Sequence, residues 1–187
     1  MPGIDESKNF VPLKIAVLTV SDTRDFADDK SGTTLVERIK VAGHTPVDRA
    51  IVKDDIDAIR AKVKSWIDDK AIDVVITTGG TGFTGRDVTP EAVEPLFEKK
   101  MDGFSMLFLM VSHAKIGTSA IQTRATAGVA NSTYVFCLPG SPGACKDAWD
   151  EILVHQLDYR YRPCNFVEIL PRLDEHLRRP KAQGATT

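Results

Sequence analysis

At 187 residues, with 42% hydrophobic and 27% charged content, the chain is sized and composed as one globular domain with short tails. A net charge of −2 supplies no basic footprint for nucleic acid. Asp5, Glu6 and Lys8 stand where a signal peptide would be apolar, and the strongly apolar run 104–111 is far short of the ~20 residues a membrane span needs. A cytoplasmic protein is therefore expected, with a domain core at about 12–171 and mobile tails at 1–11 and 172–187.

Residues 13–20 (LKIAVLTV) form a near-continuous apolar run that reads as a strand buried on both faces. The loop SDTRDFADDKSG follows, and its aspartates Asp22, Asp25, Asp28 and Asp29 read as a mobile, solvated stretch rather than a metal cage. Ser31 is expected to cap a helix over about 32–42, with Leu35, Ile39 and Ala42 inward and Gly43 ending it. A second strand spans 45–52. Asp54 reads as the N-cap of the next helix, with Asp57 as its box partner, and Ile56, Ile59, Val63, Trp66 and Ile67 mark the apolar face.

The third strand, 72–78, runs into TTGGTGFTGRDVTPEA. Here Gly79, Gly80, Gly82 and Gly85 precede Arg86 and Asp87, and a helix is expected to start with Thr89 as N-cap and Pro90 at the first helical position. Strand, glycine loop and helix N-terminus together aim backbone N–H groups at an anion. The loop lacks the G-K-[ST] of a Walker A motif. A tight turn needs fewer glycines than this, so the loop reads as a site for a phosphorylated ligand. Asp87 alone could merely favour the helix dipole, and Asp54 alone could merely cap. Two carboxylates beside a phosphate would repel it without a cation between them, so the pair implies Mg²⁺. Strand–helix alternation predicts a mostly parallel sheet with ligands at the strands' carboxyl ends, where loops 21–31, 53–55 and 79–87 emerge.

Residues 104–111 are apolar almost all round and need cover on more than one side, a second subunit being one source. The stretch 118–125 stays ambiguous. Residues 127–130 and 133–138 read as a hairpin about Asn131-Ser132. Pro139-Gly140-Ser141-Pro142-Gly143 is a second glycine turn, with Ser141 capping a helix that turns Trp149, Ile152, Leu153 and Leu157 inward. Lys115 and Arg124 read as ordinary solvated cations. Cys137, Cys145 and Cys164 have no C-x-x-C spacing and read as small apolar filler.

Three motifs in order, LTVSDTR, TTGGTGFTGRDVTPEA and LPGSPGA, resemble the MoaB/MogA molybdopterin-binding family over roughly residues 12–171, nearer to its MoaB members. The resemblance implies an α/β; three-layer α/β/α sandwich, with a mostly parallel sheet and one antiparallel strand. It implies molybdenum cofactor biosynthesis, a homotrimer or homohexamer, and contact with other enzymes of that pathway. The active branch adenylylates molybdopterin with Mg-ATP and releases pyrophosphate. Asp87 and Asp54 match its catalytic aspartates, with Asp87 as the Mg²⁺ ligand and Asp54 near. Some MoaB proteins depart from aspartate at the Asp54 position and do not catalyse; this chain keeps it. Ser21, Thr78, Gly79, Gly80, Thr81 and Gly82 match the phosphate and pterin loops. Ser119, Thr123 and Arg124 match the pterin-side segment, and Pro139, Gly140 and Ser141 the nucleotide-side turn. Cys137 departs from an asparagine frequent there. A non-catalytic carrier of molybdopterin and a generic nucleotide-binding domain are the alternatives.

Overall fold

The computed structural model describes residues 2–178. Part of the expected C-terminal tail, residues 179–187, lies outside the described residues. Strand β1 (Gly3–Ile4) is followed by β2 (Lys14–Val20), α1 (Lys30–Val41), β3 (Thr45–Val52), α2 (Ile56–Ile67) and β4 (Val74–Thr78). The second half carries α3 (Thr89–Val93), β5 (Lys99–Lys100), α4 (Asp102–Ile116), β6 (Thr126–Ala130), β7 (Thr133–Leu138), α5 (Pro142–Ala148) and β8 (Tyr161–Arg162). The N-terminal segment, expected to be mobile, is tied down instead. β1 pairs antiparallel with β8, and Asp5 meets Arg162 at 3.4 Å.

Six strands form the main sheet in the order β3-β2-β4-β7-β6-β5. β3, β2, β4 and β7 are mutually parallel, and β6 is antiparallel to both its neighbours. β6 is thus the one strand reversed, because the tight connection through Asn131 and Ser132, both at positive φ, turns it straight into β7.

Alternation along the strands divides the core into two layers. Ile15, Val17, Val74, Ile76, Tyr134, Phe136 and Leu138 face Leu35, Ile39, Phe104, Phe108 and Trp149 from α1, α4 and the helical run after Ser141. Ala16, Leu18, Val20, Val75, Val135 and Cys137 face Ile59, Val63, Trp66, Ala92 and Val93 from α2 and α3. The chain leaves β2 for β3 by α1 on one face and returns to β4 by α2 on the other. The crevice between the carboxyl ends of β2 and β4 is therefore the switch point, where open sheets of this kind leave room for a ligand.

Three helix starts differ from expectation. Asp29, not Ser31, caps α1 by accepting from Gly32 N–H at 2.9 Å. Asp55, not Asp54, caps α2 by accepting from Ala58 N–H at 2.8 Å. Thr89 is the first residue of α3 rather than its cap, and donates its hydroxyl to Gly79 C=O at 2.8 Å. In each case a neighbouring acid or a tertiary acceptor wins over the residue chosen by local pattern. Ser141 does cap α5, accepting from Ala144 N–H at 3.1 Å. The buried Trp149, Ile152, Leu153 and Leu157 follow on the same helical run, which passes through a π-turn at Trp149–Leu153.

The apolar stretch about α4 is longer than residues 104–111. With the 3-10 turns that resolve the ambiguous 118–125 stretch, it makes a 21-residue run to Gln122, enough to cross a membrane by length and composition alone. It is part of the domain nonetheless: Phe104 and Phe108 are buried in the core, and Lys115 holds Asp147 and Glu151 at 2.7 and 3.2 Å. Met106, Leu107, Leu109 and Met110 stay exposed on its outer side.

Candidate functional site

Gly79 is fixed by the close approach of β2. It has φ +104°, and a Cβ there would lie 2.2 Å from the Val20 carbonyl oxygen. Its N–H donates to Leu138 C=O at 3.0 Å, so the loop leaves the sheet pinned on both sides. Gly80, at φ +65°, lies against Thr89 and Asp54; an added Cβ would stand 2.4 Å from Thr89 Oγ1 and 3.2 Å from Asp54 Oδ1. These two glycines are required by backbone conformation and crowding. Gly85 has open space around it and no such requirement.

The expected helix dipole contributes little at this edge. α3 has only five residues before Glu94-Pro95-Leu96 tightens into a 3-10 turn, because Pro95 cannot continue the α-helical ladder. Any anion binding here falls to loop amides and side-chain charge.

Arg124 clamps the loop from behind. Its Nε donates to Gly82 C=O at 2.8 Å, Nη2 donates to Asp87 C=O at 2.7 Å, and Nη1 pairs with Glu91. Its guanidinium carbon lies 5.5 Å from the ring centroid of Phe83, which is largely exposed. Thr81 is buried, and its carbonyl accepts the Arg124 N–H at 2.8 Å. The solvated side chain read from the sequence is instead a bracket for the glycine loop.

The carboxylates gather on the opposite side. With Asp55 as the cap, Asp54 is free of α2 and half-buried, and its N–H donates to Asp22 Oδ1 at 3.3 Å. Its carboxyl is held above the ordinary carboxylate range by burial and then by the charge of Asp22. The Asp22 N–H and Arg86 act the other way, and Asp87 adds to the rise. Asp22 itself is bridged by Arg86, Nε to Oδ2 at 2.9 Å and Nη2 to Oδ1 at 2.7 Å, which holds it below its usual range. Burial would raise Asp87, but hydrogen bonds from Thr84 Oγ1, Thr84 N–H and Gly82 N–H outweigh it, helped by Arg124, and hold it low. Asp87 Oδ2 accepts from Thr84 N–H at 2.8 Å and Oγ1 at 2.7 Å, so this carboxylate also ties the loop together.

Asp54 and Asp87 thus stand close enough for the charge of one to be felt at the other. Among the described residues no three His, Cys, Asp or Glu side chains form a metal cage. A raised carboxyl among like charges nevertheless fits Mg²⁺, which binds through one or two carboxylates and completes its shell with phosphate oxygens and water.

The second glycine turn packs onto the first. A Cβ on Gly140 would lie 3.1 Å from Gly79 Cα. Thr78 Oγ1 donates to Pro139 C=O at 2.8 Å, while Ser31 Oγ and Arg24 Nη1 donate to Gly140 C=O at 2.8 and 3.0 Å. Ser21 Oγ accepts from Arg24 N–H at 3.2 Å and holds the first loop in its turn. Thr123 Oγ1 is buried without a hydrogen-bond partner among the described residues. Ser119 is exposed on the 3-10 stretch and makes no hydrogen bond to the glycine loop among the described residues. Asp29, expected in a solvated loop, is buried with Thr19 at 2.6 Å and Arg49 at 2.8 Å, while Asp25 and Asp28 are exposed. The position of Cys137 is turned away from this edge: its thiol is fully buried in the α2/α3 layer.

Sequence reasoning missed Arg24 and did not assign Asp22 or Arg86 a role. Arg24 sits in the LTVSDTR motif and Arg86 directly before Asp87, but no local periodicity tells which loop either will reach.

Fold and site define an open, doubly wound α/β domain whose switch point lies between the carboxyl ends of β2 and β4. Residues 16–159 match the family model described as a probable molybdopterin binding domain. The chain is 51% identical over 160 residues to molybdenum cofactor biosynthesis protein B of Escherichia coli strain K12, covering 86% of this chain and 94% of that protein. It is 42% identical over 163 residues to the protein of the same name from Bacillus subtilis strain 168, covering 86% and 96%. A crystal structure of molybdenum cofactor biosynthesis protein B superposes with a TM-score of 0.81 at 37% identity, covering 90% of this chain and 99% of that one. The chain belongs to the molybdenum cofactor biosynthesis family and carries its molybdopterin-binding domain.

Proposed function

We propose that the chain binds molybdopterin and ATP at the switch-point crevice and transfers AMP to the terminal phosphate of molybdopterin. In this reaction a terminal phosphate oxygen forms a bond to the α-phosphorus of ATP. The bond from that phosphorus to the bridging oxygen breaks, and pyrophosphate leaves. The observation that supports the reading is that Asp54 and Asp87, from separate loops, lie at one edge, with the Asp54 carboxyl raised by burial and then by its acidic neighbours.

Mg²⁺ held by Asp87 and Asp54 would neutralise charge between the two anionic substrates. The residues of the chain do the positioning. Gly79 and Gly80 give the loop the positive-φ turn that its crowding against Val20, Thr89 and Asp54 requires, and Arg124 keeps the loop in place. The Pro139–Gly140–Ser141 turn, packed on Gly79, sets the distance between the pterin and nucleotide sides.

One observation supports binding without turnover. Asp87 Oδ2 is engaged by Thr84, leaving that carboxylate less able to hold a cation than a free one. The two readings separate in one assay. Wild-type protein given molybdopterin, ATP and Mg²⁺ releases pyrophosphate, and Asp87→Asn does not, although it still binds the pterin. Pterin binding with no ATP consumption would select the carrier reading.

Assembly and location belong to the same proposal. The exposed side chains Met106, Leu107, Leu109 and Met110 suit a subunit interface, as a trimer or hexamer in the cytoplasm would bury them. Docking onto other enzymes of the pathway fits the release of a product that a later step must take up.

A further inference from the structure

The loop after β2 and the loop after β4 face each other across the crevice, and one side-chain contact spans them. Arg86 grips Asp22 through two hydrogen bonds, at 2.9 and 2.7 Å. The Arg86 side chain is 64% exposed and Asp22 35% exposed, so water reaches both ends of the bridge. The Asp54 N–H donates to Asp22 Oδ1 at 3.3 Å, and Asp87 follows Arg86 directly in the chain.

We propose that Arg86 is a phosphate-contacting residue which Asp22 holds in reserve: an incoming phosphate takes the guanidinium from Asp22. The proposal rests on the reading of this edge as a phosphate site and adds to it the residue that makes an acidic crevice receptive.

Charge makes the exchange necessary. Asp22, Asp54 and Asp87 put three carboxylates around the crevice against Arg86 and the nearby Lys53, while Arg124 is paired with Glu91 behind the loop. A polyphosphate entering here meets repulsion that Arg86 cannot offset while it neutralises Asp22. Geometry makes the exchange easy, because a guanidinium offers phosphate the same two-pronged contact it offers a carboxylate. An ion pair with both ends in water adds little to stability, so its loss costs little. Once released, Asp22 stands beside Asp54 as a further acid for a cation that arrives with the phosphate.

A purely structural latch predicts something different. Cutting it from either end would free the same two loops and change binding in the same direction. Reserve predicts opposite signs. Arg86→Ala removes the phosphate contact, whereas Asp22→Asn removes its competitor.

The test is calorimetric titration of the full chain with inorganic pyrophosphate in EDTA, repeated with ATP and Mg²⁺. In EDTA, Arg86→Ala weakens pyrophosphate binding about tenfold or more, and Asp22→Asn tightens it about threefold. Arg86→Lys retains charge but not the fork and falls between Arg86→Ala and the wild type. With ATP and Mg²⁺, Asp22→Asn loses its advantage. Pyrophosphate binding weakened alike by Arg86→Ala and Asp22→Asn overturns the proposal but leaves the phosphate site standing. Wild-type protein that binds neither pyrophosphate nor Mg-ATP overturns both. Circular dichroism of each variant shows that the fold is intact.

Discussion

Replacing Arg124 with alanine removes four contacts at and beside the glycine loop at once. The guanidinium donates to Gly82 C=O at 2.8 Å and Asp87 C=O at 2.7 Å, pairs with Glu91, and backs the Phe83 ring at 5.5 Å. A hydrogen bond from a charged donor contributes roughly 1.5–3 kcal/mol when well buried. The side chain is 28% exposed, so water recovers part of that. The Glu91 pair and the ring contact add at most about 1 kcal/mol each. The sum is about 2–4 kcal/mol, acting on the loop and the start of α3, where these partners lie. Native-state hydrogen exchange reads this directly at Asp87 N–H, bonded to Thr84 C=O, and Thr89 N–H, bonded to Gly80 C=O. Their protection falls by about 30- to 1,000-fold in Arg124→Ala. Arg124→Lys recovers less than half of the loss, because an ammonium cannot fork to two carbonyls. Unchanged protection at both amides in Arg124→Ala would refute the bracket role.

Leu107→Glu leaves the monomer folded but lowers the assembly mass in light scattering, since Leu107 is 44% exposed; Phe108→Glu, at a site 1% exposed, unfolds the chain instead. An unchanged mass for Leu107→Glu would remove α4 from the interface. Asp54→Asn raises the melting temperature of the ligand-free protein at pH 7. The reason is that the folded state disfavours the Asp54 carboxylate, so its stability contribution is present below the unfolded pKa and lost as pH rises through the higher folded one. The gain shrinks as pH falls through the carboxylate range, and a gain that persists in acid would contradict the sign. Among the cysteines, exposed Cys164 reacts fast with a thiol reagent. Buried Cys137 and Cys145, with thiols pushed up by burial to about 12 and about 11, react only on unfolding. Two fast thiols in the native protein would contradict that burial.

The layer structure was legible in the sequence because strands buried on both faces cannot alternate polar and apolar residues, and residues 13–20 and 72–78 do not. The hairpin was legible from the short polar break at Asn131-Ser132. The cap of α5 at Ser141 was legible too, but those of α1 and α2 were not, because Asp29 and Asp55 lie within a residue or two of equally suitable Ser31 and Asp54, and tertiary contacts choose between them. That choice matters for the site, since moving the cap to Asp55 leaves Asp54 half-buried among acids rather than bonded to its own helix. That Phe104 and Phe108 turn inward while Leu107 turns outward was not legible, because an apolar helix with no polar face does not reveal which of its sides meets the sheet. Roles for Arg86 and Asp22 stayed hidden for a related reason: two loops 64 residues apart meet only after β2 and β4 pair.

The account depends on Asp54 and Asp87 acting on one cation that arrives with a phosphorylated ligand. Electron paramagnetic resonance of Mn²⁺, used in place of Mg²⁺, measures this. The account predicts little Mn²⁺ bound to the protein alone, a ternary signal when ATP is added, and loss of that signal in both Asp54→Asn and Asp87→Asn. A ternary signal unchanged by either substitution would contradict it.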